Sequence, residues 1–112
     1  MIVNIGPYES YDDTSERNVE VVIHDYDTWN LDHTMSLILL PAFIKFKENL
    51  KGCPAILDSE CPETEWDKIL GKIIRAHQHV LDNSINTFNQ KIYDETQEGL
   101  QLMAKYWGNF WT

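Results

Sequence analysis

The chain has 112 residues, of which 43% are hydrophobic and 24% are charged, an ordinary mixture for a globular protein. We therefore expect one domain over 1–112 and exclude disorder along the whole chain. The 18 acidic and 9 basic residues give a net charge of -9, which argues against direct nucleic-acid binding. The longest apolar run, 37–46, is far shorter than the roughly 20 residues that cross a bilayer, and no signal-peptide pattern opens the chain. We expect neither membrane insertion nor secretion.

Residues 1–26 are predicted to be extended. Val19, Val21 and Ile23 form a β-branched run in which every second residue falls on the same face. A strand cannot satisfy its own backbone groups, and the segment 2–5 is the nearest partner. This predicts a short N-terminal two-stranded β ribbon, which is marginal unless it packs on the helices or pairs across a dimer.

The first helix is predicted over 30–51. Asp27 and Asn30 offer side-chain oxygens to the free amides of its first turn, and Gly52 ends it. Pro41 removes one backbone donor, so we expect a bend there. Apolar residues occur on two sides of this helix, which predicts burial around much of its circumference. The second side consists of Leu37, Leu40 and Ile44.

Two more helices are predicted over 63–82 and 86–111, with a turn at 82–86 between them. A continuous helix from 63 to 111 would be about 70 Å long, too long for so small a domain. The second helix has the most regular apolar stripe in the chain: Trp66, Ile69, Leu70, Ile73, Ile74, His77, Val80 and Leu81. The predicted fold class is therefore mainly α, an irregular three-helix bundle with a β ribbon before it.

One candidate metal site lies where the ribbon gives way to the first helix. Asp25, Asp27, Asp32 and His33 are ligand types that divalent cations accept. Asp27 and Asp32 have a simpler role as helix-start residues, so we favour capping and solvation over metal binding.

A second candidate is the acidic group Asp94, Glu95 and Glu98 on the third helix. A similar pattern holds magnesium in the all-α nucleoside-triphosphate pyrophosphatases, which carry further acids on a following helix. Here no acidic residue follows, and the acidic turn 63–67 would have to complete the site. We favour a solvated helix face.

The remaining histidines and the cysteines give no metal signature. His77 lies on the apolar stripe, whereas His79, two residues later, faces away, so the two cannot share a zinc ion. We predict that His77 is a core histidine. Cys53 and Cys61 lack a second pair at metal-finger spacing, and we expect reduced thiols.

The chain ends in an aromatic group: Tyr106, Trp107, Phe110 and Trp111. More aromatic residues occur here than one core face needs, which is typical of an interface. We predict a homodimer, the commonest closed assembly, whose interface includes Trp107 or Trp111.

Three segments carry a family resemblance. They are Asp27-Thr28-Trp29-Asn30-Leu31-Asp32-His33-Thr34-Met35-Ser36-Leu37-Ile38 continuing to Pro41, Trp66-Asp67-x-Ile69-Leu70, and Gln97-x-Gly99-Leu100-x-Leu102-Met103-x-Lys105-Tyr106-Trp107 ending in Phe110-Trp111. Together they resemble a family of small, uncharacterised proteins encoded by tailed phages. The resemblance implies a phage origin and a helical fold, and it carries no activity.

Our leading hypothesis is a non-enzymatic phage accessory protein that acts through contacts with a host or phage protein. It would work in the cytoplasm of the infected bacterium or in the virion, without a cofactor. Its expected interaction residues are Trp29, Tyr106, Trp107 and Trp111.

Two alternatives belong to other classes. The first is a divalent-metal-dependent hydrolase that uses the carboxylates of the third helix. The second is an acidic decoy that mimics nucleic acid, suggested by eight acidic residues and one base, Arg17, between Met1 and Asp32. The acids of the whole chain are too dilute for a convincing mimic.

Overall fold

The computed structural model describes residues 1–6, 17–50, 62–82 and 89–111, with Pro62 described in its backbone alone. Cys53, Cys61 and the predicted turn beyond Asp82 lie outside these residues. The chain divides into two compact units, an N-terminal unit of Met1–Thr34 and a C-terminal unit of Met35–Thr112. The organisation as one domain stays a prediction.

The N-terminal unit contains the predicted β ribbon. Strands β1 (Ile2–Ile5) and β2 (Val19–Val22) pair antiparallel, with Ile2 opposite Val22 and Ile5 opposite Val19. The β-branched alternation of β2 suits a strand, and β1 satisfies one of its two backbone edges.

Residues 25–28 do not continue the extended segment that the sequence predicts. They form a 3-10 turn, Asp25–Thr28, before helix α1 begins at Leu31. The Asp27 carboxylate accepts a hydrogen bond from the His24 amide at 2.9 Å, and the Thr28 hydroxyl donates to the Asp25 carbonyl at 2.7 Å. Asp27 therefore caps this turn and not α1, because its side chain folds back towards the amide of His24, three residues earlier.

The chain is mainly helical, as predicted. Helix α1 (Leu31–Glu48) is followed by α2 (Pro62–Leu81) and α3 (Gln90–Lys105). The third helix starts later than predicted because Asn89 has extended backbone and its side-chain oxygen accepts from the amides of Lys91 and Ile92. The predicted bounds of the second helix hold to within one residue.

The core of the C-terminal unit follows the apolar stripe of α2. Trp66, Leu70 and Ile73 are the largest fully buried side chains. The rest of the core comes from all three helices: Phe43, Ile69 and Tyr106 are buried, with Leu39, Phe46, Leu50, Ile74, Leu102, Met103 and Phe110 packed against them.

Helix α1 contributes one face to this core. Ser36 and Phe43 are buried, whereas Leu37 and Ile44 are exposed. The expected burial around much of its circumference is therefore wrong, since the described residues of α2 and α3 pack against a single side of α1.

Helices α2 and α3 approach each other closely at Gly99. A Cβ atom added to Gly99 would overlap the Lys72 carbonyl oxygen and the Ala76 side chain. Only a residue without a side chain fits at this contact. The glycine therefore sets the distance between the two helices.

Helix α3 ends at Lys105, six residues before the predicted end. The chain then makes a short 3-10 turn, Trp107–Asn109, which returns Phe110 to the core. The Phe110 ring lies 5.0 Å from that of Phe43 and 5.7 Å from that of Trp66. The turn thus places the Phe110 ring in the core, while the Trp107 side chain stays exposed.

Candidate functional site

The end of the chain presents two exposed indoles, which we call the C-terminal aromatic surface. Trp107 is 63% exposed and Trp111 is 76% exposed. Trp107 contacts the edge of Phe110, with ring centroids 6.2 Å apart, so it is attached to a fixed part of the core. The arrangement offers a partner a large apolar area at a defined place.

Tyr106 does not belong to this surface. Its side chain is buried, and its ring lies edge-on to Trp66 with 5.4 Å between the centroids. We correct the prediction of Tyr106 as an interaction residue, because as the last residue before the 3-10 turn it still faces α2.

Trp29 is the exposed tryptophan of the N-terminal unit. It follows the 3-10 turn, and its side chain is 79% exposed. Its backbone amide donates to the Tyr26 carbonyl at 3.3 Å. The turn thus holds the backbone of Trp29 while the indole remains accessible, as an interaction residue requires.

The acids at the start of α1 are not arranged as a metal site. In the described part of the chain, no three histidine, cysteine or acidic side chains are grouped so that they could hold a metal ion. The hydrogen bond from the His24 amide lowers the pKa of Asp27 and satisfies part of its carboxylate. Asp32 lies in the first turn of α1, where its charge stabilises the helix, and the intermediate exposure of His33 is typical of a surface residue.

The acids of α3 are paired with donors. Lys72 lies 2.7 Å from Glu98, and Asp94 accepts from Gln90 at 2.7 Å. Glu95 accepts from His79 at 2.8 Å and from Arg75 at 3.3 Å. The hydrogen bond from His79, with Arg75 beside it, holds the pKa of Glu95 below its usual range.

The acidic turn 63–67 does not complete a site with these residues. Asp67 pairs with Lys47 of α1 at 3.5 Å. Arg75, the partner of Glu95, follows Asp67 by two turns of α2, or about 12 Å along the helix axis. Asp67 and Glu95 therefore lie at different levels of the helix pair, and each is paired with its own cation.

His77 is a core histidine, as predicted, with 2% of its surface exposed. Its Nδ1 lies 2.9 Å from Ser36 Oγ, and its Nε2 lies 3.4 Å from Met103 Sδ. Because a thioether sulfur only accepts hydrogen bonds, Nε2 carries the proton and the Ser36 hydroxyl donates to Nδ1.

The Ser36–His77 pair has the composition of a nucleophile and its base. Both side chains are buried, so neither is open to a substrate. Burial lowers the pKa of His77 and keeps the imidazole neutral. The pair therefore serves as a polar tie between α1 and α2.

The chain matches no protein-family model, no curated protein and no solved structure. The phage resemblance thus stays a prediction. No helix in the described ranges has the length and apolar character needed to cross a membrane.

Sequence reasoning missed two features that shape the candidate surface. The return of Phe110 to the core decides which aromatic residues remain outside, and Gly99 sets the spacing of α2 and α3. Gly99 occurs within the helical pattern of α3, where a glycine indicates either a weak helix or a close packing contact. A helix stop signal, Gly108 followed by Asn109, also precedes Phe110, but it does not indicate that the ring returns to the core.

Proposed function

We propose that this chain is a non-enzymatic accessory protein of a tailed phage that acts through protein–protein contacts and works as a homodimer. The phage origin rests on the resemblance of its three sequence segments. The mode of action rests on one observation, the exposure of Trp107 and Trp111 on the C-terminal aromatic surface. It acts in the cytoplasm of the infected host or in the virion.

A second copy suits this surface for physical reasons. Burying apolar area yields roughly 25 cal/mol per Å², and indoles are enriched where proteins meet. A two-fold axis lets the same patch cover itself. The N-terminal unit contains eight of the 18 acidic residues and one of the 9 basic residues. The C-terminal unit therefore contains ten acidic and eight basic residues. Two C-terminal units therefore repel each other little.

Light scattering of matched variants tests the proposal. The chain mass is 13.1 kDa, so the dimer should report about twice that value at micromolar concentration. We expect Trp111→Ala to shift the mass towards the monomer. Trp29→Ala, which removes an equally exposed indole from the other unit, should leave the dimer intact. A monomeric wild-type protein, or equal effects of the two substitutions, would contradict the proposal.

A further inference from the structure

The β ribbon offers a second binding surface, distinct from the C-terminal aromatic surface. We propose that an extended, lysine- or arginine-rich segment of another protein adds to β2 as a third strand. The inference rests on the proposed function in one respect, that the chain acts through protein contacts. It uses a different surface and a different kind of partner, so an experiment can contradict the proposed dimer and the proposed strand addition independently.

One face of the ribbon is wholly apolar. The register places Val3 opposite Val21 and Ile5 opposite Val19, and side chains of directly opposed residues share a face. We call these four residues the ribbon face. Ile5, Val19 and Val21 are each about half exposed. A two-stranded ribbon with such a face gains stability from any partner that covers it.

The backbone of β2 also faces outward at the same residues. The Gly6 amide donates to the Asn18 carbonyl at 2.7 Å, so these two residues form a hydrogen-bonded pair. In an antiparallel ladder every second pair is hydrogen-bonded, so the next hydrogen-bonded pairs are 4–20 and 2–22. The peptide groups of Val19 and Val21 therefore point away from β1. Among the residues that the structure describes, the sheet has two strands, so β2 is an edge. An edge of this kind accepts an added strand.

The charge of the N-terminal unit indicates what kind of strand is added. The unit carries eight acidic residues and one basic residue. Glu20 lies within β2, and Asp25 follows it with no side-chain partner among the described residues. A second copy would bring two strongly negative units together, and membranes and nucleic acids are themselves anionic. A basic protein segment is the complementary occupant.

A short synthetic peptide of alternating lysine and valine is the probe, with an acidic peptide of alternating glutamate and valine as its counterpart. Backbone amides are followed by NMR in the full chain. We expect the basic peptide to protect the outward amides of Val19 and Val21 from hydrogen exchange. The inward amides of Glu20 and Val22, already bonded to β1, should change little.

Two matched variant pairs test the causes. The double variant Glu20→Gln with Asp25→Asn should weaken peptide binding by about three- to tenfold. Its control, Glu63→Gln with Asp82→Asn, removes two exposed charges from the other unit and should leave binding unchanged. Val19→Thr with Val21→Thr keeps the strand preference but makes the ribbon face polar, and should also weaken binding. The equally exposed Leu37→Thr on α1 is its control.

Several results would overturn the inference. Equal binding of the acidic peptide would remove the charge argument, and equal binding of a basic peptide interrupted by proline would remove strand addition. A dimer that dissociates on Val19→Thr with Val21→Thr would show that the occupant is a second copy. Loss of the dimer in Trp111→Ala without loss of peptide binding supports both proposals at once.

Discussion

Trp66 and Trp29 have the same side chain in opposite surroundings. Trp66 is 1% exposed and lies beside the rings of Tyr106 and Phe110, whereas Trp29 is 79% exposed. The contrast extends to their units. The C-terminal unit buries a continuous apolar stripe, while the N-terminal unit leaves Ile5, Val19 and Val21 about half exposed. The apolar stripe of α2 thus stabilises the fold, whereas the apolar residues of the ribbon remain available for binding.

Truncating the two tryptophans should separate these roles most strongly. We expect Trp66→Ala to lower the free energy of unfolding by about 3–5 kcal/mol, because it opens a cavity in the core. Trp29→Ala should change it by less than about 0.5 kcal/mol, since its indole is already in water. Urea denaturation followed by circular dichroism measures both. Similar losses would mean that Trp29 has a structural role.

The contact between α2 and α3 gives the next largest effect. Gly99→Ala should cost about 1–3 kcal/mol because the added methyl group overlaps the Lys72 backbone. Gly71 lies within α2 with open space around it, so Gly71→Ala should stabilise the protein by about 0.5–1 kcal/mol. Thermal unfolding measures whether Gly99→Ala lowers and Gly71→Ala raises the unfolding temperature relative to the wild-type protein. A stabilised Gly99→Ala variant would show that the helices separate easily.

A smaller effect is expected from pH, and it should arise in the C-terminal unit. The pKa of His77 is lower in the folded chain than the usual value of about 6.5. The unfolded state therefore binds the extra proton, and stability is lost as pH falls from about 6.5 through the folded pKa. The lowered pKa values of Asp27 and Glu95 act in a separate range, because their contributions are lost only below about pH 4.5.

Chemical denaturation at pH 7.5 and at pH 5.5 measures this dependence. His77→Gln should reduce the difference in stability between the two pH values, whereas His33→Gln, at the start of α1, should preserve it. An unchanged difference in His77→Gln would mean that another group titrates.

We expect metal ions to have no effect on the stability of the folded chain. The acids that the structure describes are paired or dispersed, so neither magnesium nor manganese at millimolar concentration should raise the unfolding temperature. A ligand bound only by the folded state must raise it, so calorimetry with and without metal is a sensitive check. A clear increase would revive the hydrolase hypothesis, and Glu98→Gln would then be the variant to examine first.

The sequence predicts those parts of the molecule that depend on periodicity. The stripe from Trp66 to Val80 and the core position of His77 follow from helical spacing, and the ribbon follows from the β-branched alternation of β2. These are local patterns, so neighbouring residues suffice to determine them.

Other features depend on contacts between distant residues. Ser36 meets His77 across 41 positions, and nothing near Ser36 marks it as a hydrogen-bond donor to a buried ring. The early end of α3 differs from the prediction for another reason: Tyr106 and Trp107 are compatible with a helix, whereas Gly108 and Asn109 after them signal its end. Asp27 was assigned to the wrong helix start since two candidate turns lie within a few residues.

The position of Phe110 also constrains how the chain is made. Its ring lies beside those of Phe43 and Phe46 on α1, so these residues of α1 must wait for a residue that is synthesised more than 60 positions later. Domains commonly begin to fold from the N-terminus during translation, but here the core lacks a central ring until Phe110 has left the ribosome. We therefore expect the C-terminal unit to complete its folding only after that point. The ribbon, whose two strands lie within residues 2–22, depends on no residue as distant as Phe110 and can form earlier.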